Sequence, residues 1–123
     1  MKQVVMVFLG GGLGSVLRYG ISKYLNPYFP SFYLGTFLVN CIGCLLIGLI
    51  LGYAAKNSFL NESQSLLLAT GFCGGFTTFS TFAFENHTLL KNGDYISFLT
   101  YTAASIILGI AAVLAGLWLS KFA

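Results

Sequence analysis

The segment of residues 71 to 82, with the sequence GFCGGFTTFSTF, combines residue types that interrupt a helix. Two adjacent glycines, Gly74 and Gly75, precede two adjacent β-branched threonines, Thr77 and Thr78, and all four are poor helix formers. A break frees carbonyl oxygens, which in a membrane need protein, water or an ion as a partner. The segment is therefore predicted to unwind and to offer backbone oxygens to a cation. A second interpretation is that the glycines allow close helix packing and the threonines bond back to the preceding turn.

Aromatic and hydroxyl side chains follow the expected break. Phe79 and Phe82 are three residues apart, so both rings lie on one side of the resumed helix, with Glu85 one step further. The edge of an aromatic ring carries partial positive charge and can therefore face an anion. Together with Ser80 and Thr81, these rings are predicted to line an anion path. The alternative for the rings is ordinary packing or lipid contact.

Two other apolar runs carry isolated polar residues. Asn40 stands alone in the second run, and a buried amide must be hydrogen-bonded, so it is either functional or a link between helices, with function favoured. The fourth run carries hydroxyls at Ser97, Tyr101 and Ser105, followed by Gly109. From the residues alone, this hydroxyl stripe is interpreted as a packing device.

Other patterns in the chain give no enzymatic chemistry. Residues 41 to 44 spell C-x-x-C, but no second pair and no nearby histidine accompany them, so a zinc site is not expected. The glycine run at residues 10 to 14 lacks the strand context of a phosphate loop. Its ends, like Gly48 and Gly52, instead fit close helix crossings. No nucleophile is paired with a base, so the protein is not expected to be an enzyme.

Composition decides the environment in which these residues act. Of 123 residues, 57% are hydrophobic and 7% are charged, and the mean hydropathy is +0.86. A soluble domain carries about 25% charged residues. The chain is therefore predicted to be an all-α membrane protein, a single domain over residues 1–123. Its expected spans are residues 3–24, 32–55, 63–88 and 95–120, each about long enough to cross the hydrocarbon core.

Helix-end signals support this division. Asn26–Pro27 ends the first span, Asn61 with Gln64 is a predicted N-cap for the third, and Asp94 is one for the fourth. The first span reaches its length only by carrying Arg18 at membrane depth. Basic residues are scattered singly and the connections are short, so neither a nucleic acid nor a soluble protein partner is expected.

The basic residues are distributed evenly between the two ends of the predicted bundle. Lys2, Lys56 and Lys121 lie at one end, and Arg18, Lys23 and Lys91 lie on or toward the other. The positive-inside rule is then nearly undecided. We therefore expect insertion in both orientations and an antiparallel pair of chains, the alternative being one weak bias that fixes a single orientation.

Three segments in order, GGLGSVLRY (11–19), GTFLVNCIG (35–43) and GFCGGFTTFSTF (71–82), resemble the fluoride channel family called Fluc or CrcB. The resemblance implies a dual-topology homodimer in the bilayer with two fluoride pores and one structural sodium ion at the centre. It places the sodium ligands on the backbone carbonyls of Gly74 and Thr77 of each subunit.

The resemblance also assigns roles to side chains. Phe79, Phe82 and Asn40 would line the pore, and Arg18 would anchor its vestibule. Further pore positions are Ser80, Thr81, Tyr101 and Ser105, while Glu85 would match the acidic residue after the aromatics. This chain departs from the family at Ser15, Cys44 and Gly109, and the last departure weakens the assignments in the fourth span.

The function that follows is passive export of cytoplasmic fluoride across a bacterial cell membrane, driven by the membrane potential. Two other classes fit four short spans. A proton-coupled exporter of the small multidrug resistance type needs a membrane carboxylate, usually in the first span, where this chain has none. An accessory subunit would have no transport of its own.

Overall fold

A computed structural model describes residues 1–57 and 60–122, and over these residues the chain is helical without any strand. The α-helices are α1 (Lys2–Leu25), α2 (Leu34–Asn57), α3 (Glu62–Ser65), α4 (Gly74–Phe76), α5 (Ser80–Lys91) and α6 (Tyr95–Leu119). A π-helix, Leu66–Cys73, connects α3 to α4, and 3-10 turns occupy Asn26–Tyr28 and Ser120–Phe122.

Four stretches of this helical chain are long and apolar enough to cross a membrane. They are Lys2–Tyr28, Leu34–Lys56, Glu62–Lys91 and Tyr95–Phe122. The predicted all-α architecture with four membrane spans is therefore confirmed. The third span consists of α3, the π-helix, α4 and α5 in sequence, and the π-helix within it was not predicted.

The predicted caps are present. The Asn61 side chain accepts from the backbone N–H of Gln64 at 2.8 Å, and the Gln64 side chain accepts from the Asn61 N–H at 3.0 Å. At the start of α6, Asp94 Oδ1 accepts from the Ser97 N–H at 3.2 Å. Gly93, before it, has a φ of 75°, which favours glycine, so the turn from α5 to α6 can be tight.

Glycines bring α1 into backbone contact with the first half of the third span. A Cβ placed on Gly10 would collide with the Leu67 carbonyl oxygen, and one on Gly14 would collide with that of Phe72. Gly75 in turn lies against the backbone of Gly11. The close crossing predicted from the spacing of Gly10 and Gly14 is therefore confirmed.

The second close pair is formed by α2 and α6. A Cβ on Gly48 would collide with the Val113 carbonyl oxygen and would lie 3.1 Å from the Cα of Gly116. One turn further along α2, Gly52 faces the Ser120 side chain. This second predicted crossing is also confirmed. The bundle thus contains two tightly packed pairs, α1 with the first half of the third span and α2 with α6.

Large apolar side chains cover the outside of the bundle. Val4, Phe8, Ile96, Ile107 and Trp118 are all more than half exposed. Few large side chains are fully buried, so packing within one chain leaves most of its apolar surface to the surroundings. That distribution fits lipid as the solvent.

Candidate functional site

The helix break predicted in the third span lies between α4 and α5. The first helix ends at Phe76, and Thr77 has φ −88° and ψ 158°, which is an extended conformation. Helical structure resumes at Ser80. Backbone groups on both sides of Thr77 therefore lose their regular helical partners.

The Asn40 side chain of α2 hydrogen-bonds the backbone at the break through both its oxygen and its nitrogen. Its Oδ1 accepts from the Thr78 N–H at 2.7 Å, and its Nδ2 donates to the Thr78 carbonyl at 3.1 Å. In a continuous helix the Thr78 N–H would bond the carbonyl four residues earlier, that of Gly74. Asn40 thus takes the donor that would otherwise bond the Gly74 oxygen.

A second carbonyl loses its donor one turn later. The Thr81 N–H donates to the side-chain oxygen of Thr78 at 3.2 Å. In a regular helix it would bond the carbonyl of Thr77. The Gly74 and Thr77 oxygens are therefore two carbonyls whose regular donors point elsewhere.

The neighbouring carbonyls are bonded by side chains. Gly75 O accepts from Arg18 Nε at 2.9 Å and from Ser15 Oγ at 3.4 Å, so the arginine of the first span bonds the break directly. The Thr77 hydroxyl donates to the Cys73 carbonyl at 2.9 Å. Close glycine packing and back-bonded threonine, considered above as alternatives to a break, therefore coexist with it.

A groove of about 540 Å³ opens beside the break. Of the residues predicted to bind ions, it brings together Asn40, Gly74, Thr77, Phe79, Phe82 and Ser105. The Ser105 oxygen is buried and has no hydrogen-bond partner among the described residues. The groove walls do not include Ser80, Thr81 or Tyr101.

The two phenylalanines Phe79 and Phe82 both line the groove. Their ring centroids are 6.1 Å apart, and Phe79 is 79% exposed, so most of its ring has no partner within the chain. The Phe82 ring also packs against the ring of Tyr101 at 5.2 Å. Tyr101 itself is fully buried behind the groove wall.

Behind Phe82, Glu85 gathers hydrogen-bond donors from three other segments. Its carboxyl accepts from the Thr36 hydroxyl at 2.6 Å, the Tyr101 hydroxyl at 2.7 Å and Asn26 Nδ2 at 3.4 Å. Nearby Tyr33 lies outside the spans, and its pKa is raised by burial and then by the charge of Glu85. Asn26, which the sequence marks only as a helix end, was not predicted to take part in this site.

Metal-ligating side chains do not cluster near the groove. All three cysteines are free thiols, and no group of three His, Cys, Asp or Glu residues that could hold a metal ion occurs within 1–57 and 60–122. Backbone oxygens are therefore the better candidates for holding a cation. At Gly109, an added Cβ would be in ordinary contact with Cys44 Sγ at 3.6 Å, so two departures from the family pattern face each other.

Comparison with known proteins places this sequence in a family. The family model described as CrcB-like protein, Camphor Resistance (CrcB), matches residues 5–117. Curated relatives named fluoride-specific ion channel FluC include one from Gloeothece citriformis, 49% identical over 98% of both chains. Another, from Phocaeicola vulgatus, is 48% identical over 98% of this chain and all of the relative.

These relatives are named as ion channels, a non-enzymatic class, which agrees with the expectation that this protein is not an enzyme. Its four apolar spans are those of a multi-pass protein. The match extends over nearly all of the chain and includes the break, the phenylalanines and Asn40. This chain therefore belongs to the CrcB family of bacterial multi-pass membrane proteins.

Proposed function

We propose that the protein is a fluoride-selective channel that exports cytoplasmic fluoride passively, through two pores of a dual-topology homodimer. The observation that carries the proposal is the groove beside the helix break, where exposed ring surface and the Ser105 hydroxyl, unpartnered among the described residues, lie within the apolar spans. The relatives named as fluoride-specific ion channels support the choice of ion.

The groove offers donors suited to a small, strongly hydrated anion. The Ser105 hydroxyl has no partner within the described chain. Asn40 Nδ2 has two hydrogens and gives one to the Thr78 carbonyl, so the other is free for an ion. The rings of Phe79 and Phe82 can add their positive edges. Such donors can replace part of the hydration shell yet still release the ion.

A structural sodium ion fits the carbonyls of Gly74 and Thr77. Both oxygens have lost their regular helical donors, and an unpaired carbonyl in a membrane needs a partner. A Cβ on Gly74 would meet nothing within 4 Å, so there is room beside this backbone. When bound, sodium would supply positive charge that offsets the carbonyl dipoles and eases the presence of a nearby anion.

An antiparallel second copy would cover the groove. The groove is open in the single chain, and Gly74 and Phe79 on its wall are exposed. The sequence places three basic residues on or toward each end, counting Arg18, so the charge bias is small and either orientation can insert. Two carbonyls from each of two copies would give one cation four oxygens.

The direction of transport follows from acid–base chemistry and the membrane potential. Hydrogen fluoride enters a cell as a neutral acid and dissociates in the less acidic cytoplasm, which traps the anion. An open path lets the negative interior potential drive fluoride outward without a coupled reaction. Within the chain, the groove residues Phe79, Phe82, Asn40 and Ser105 solvate the ion on its way.

Efflux from liposomes that contain only this protein tests the proposal. We expect fluoride to leave much faster than chloride, driven by an imposed potential and independent of a proton gradient. Sodium removal should lower the yield of intact dimer. An absence of fluoride efflux from correctly folded dimer would contradict the channel and favour an accessory subunit.

Proton-coupled export finds less support in the structure. An exporter needs a carboxylate that exchanges protons with its substrate, and Glu85 is the acidic residue nearest the groove. It does not line the groove, and hydrogen bonds from Thr36, Tyr101 and Asn26 occupy its oxygens. Fluoride flux that followed a proton gradient would instead favour the proton-coupled exporter over the channel.

A further inference from the structure

The polar contacts around Glu85 come from Thr36, Tyr101 and Asn26, and Asn26 is the one that lies neither in a family-like segment nor among the residues predicted for the site. Asn26 directly follows α1 and begins the first 3-10 turn. Its Nδ2 donates to Thr36 Oγ1 at 3.2 Å and to Glu85 Oε2 at 3.4 Å, while its Oδ1 accepts the Thr36 N–H at 3.0 Å. One side chain thus joins the end of α1 to α2 and α5.

Glu85 is the group at the centre of these contacts. It is 6% exposed, and both of its oxygens accept hydrogen bonds, as those of an ionised carboxylate do. Its hydrogen bonds within the described residues come from Thr36, Tyr101 and Asn26, and none of them comes from a lysine or arginine. A buried carboxylate without a cation is stabilised by its hydrogen-bond donors alone, so each donor matters.

The same contacts continue to the groove. The Tyr101 hydroxyl donates to Glu85 Oε1 at 2.7 Å, which fixes the orientation of the tyrosine ring. That ring packs against Phe82 at 5.2 Å, and Phe82 lines the groove. A displaced Glu85 carboxylate would release the Tyr101 hydroxyl and with it the support of the Phe82 ring.

We propose that Asn26 is a positioning residue for the ion path, acting through Glu85 and Tyr101 on the Phe82 ring. The inference rests on the proposed fluoride channel. The essential feature is the Nδ2 donor toward Glu85, whereas the Oδ1 acceptor serves only the N-terminal backbone of α2. These two roles of one amide can be separated by substitution.

Asn26→Asp separates them at a pH where the new carboxyl is ionised, because aspartate then keeps the acceptor for the Thr36 N–H, lacks the donor and adds a like charge beside Glu85. We expect fluoride efflux per reconstituted dimer to fall about tenfold, as for a lost hydrogen bond to a charged group. Asn26→Ala, which removes both groups, should be at least as impaired. Wild-type efflux in Asn26→Asp, with Asn26→Ala impaired, would mean that the amide only caps α2 and would overturn the inference.

A double variant distinguishes an action of Asn26 through Glu85 from a merely structural role. In Asn26→Asp/Glu85→Gln, the new amide at position 85 can donate to the new carboxylate at position 26, which restores the contact with its polarity reversed. We expect this variant to conduct better than Asn26→Asp alone. A double variant no better than the single one would contradict an action through Glu85.

Asn86→Ala is the matched control. Asn86 is 7% exposed and lies next to Glu85 on α5, but its Oδ1 accepts from Thr102 Oγ1 at 3.0 Å and is not part of the Asn26 contacts. The control should lower the melting temperature and leave efflux per folded dimer near that of wild type. An equal loss of efflux in Asn86→Ala would overturn the inference, whereas a wild-type protein without efflux would refute the proposed function itself.

Discussion

At the scale of single residues, the site depends on which polar groups are already paired. Asn40 and Arg18 bond backbone groups at the break, and Thr78 bonds a neighbouring amide, so the oxygens of Gly74 and Thr77 stand apart from the regular hydrogen-bond ladder. The two aromatic rings likewise differ in whether they already have a partner within the chain. Phe82 is packed against Tyr101, while Phe79 lines the groove and leaves most of its surface exposed.

Replacing either ring tests its part in conduction. Phe79→Ile or Phe82→Ile removes the positively polarised ring edge and keeps an apolar side chain, so the dimer should survive. Fluoride efflux from liposomes should fall to about a tenth of wild type or less, the factor that corresponds to losing about 1.4 kcal/mol.

The control for these two variants is Phe84→Ile, in α5. Phe84 is 67% exposed but does not line the groove, so this variant should conduct normally. Unaltered efflux in both Phe79→Ile and Phe82→Ile would remove the rings from the mechanism.

At the scale of elements, glycines set the distance between α1 and the third span. The π-helix Leu66–Cys73 and α4 lie against α1 with backbone touching backbone at Gly10, Gly14 and Gly75. A π-helix is rare and is found mostly near functional sites. Here it directly precedes the break, so the spacing of these helices also places the carbonyls of Gly74 and Thr77.

Alanine at Gly14 should therefore disturb both packing and conduction. Its Cβ would collide with the Phe72 carbonyl oxygen and lie 2.7 Å from the Phe76 backbone nitrogen, so one of the helices must move. We expect a loss of roughly 1–3 kcal/mol in stability, the usual cost of overpacking, seen as a lower melting temperature in detergent.

The matched control is Gly12→Ala, two residues before Gly14 in α1. A Cβ there meets nothing within 4 Å, so this variant should melt at or above the wild-type temperature. Equal melting temperatures for the two variants would show that the close crossing is not a constraint.

At the scale of the whole molecule, a single chain leaves its groove uncovered on one side. The groove is open to one side, and the six basic residues are distributed three and three on or toward the two ends when Arg18 is counted. An antiparallel pair would account for both features, because it covers the groove and needs both orientations of the chain. The proposed sodium site and the paired pores depend on this assembly.

Added lysines test the need for both orientations. Gln3→Lys/Phe122→Lys adds two charges at one end, and Tyr28→Lys/Asn92→Lys adds two at the other, all at exposed positions. Each variant should insert in a single orientation and lose fluoride export, measured as growth in fluoride and as efflux from membrane vesicles.

Producing the two oppositely biased variants in one cell should restore export, since each then finds a partner of opposite orientation. Full export by either variant alone, with its orientation fixed as judged by labelling at one terminus, would contradict the antiparallel pair.

Local features of the chain were enough to predict the environment, the number of spans and the approximate place of the break. Hydrophobic runs, caps such as Asn61 and Asp94, and poor helix formers at residues 74 to 78 act locally, so their effects can be read along the chain. The tertiary structure alone decided which donor bonds which acceptor. Asn26 reaches Glu85, and Arg18 reaches Gly75, across 59 and 57 positions of sequence, and the π-helix has no comparable local signal. Such pairings depend on where packing brings distant helices together, because hydrogen bonds act only over a few ångströms.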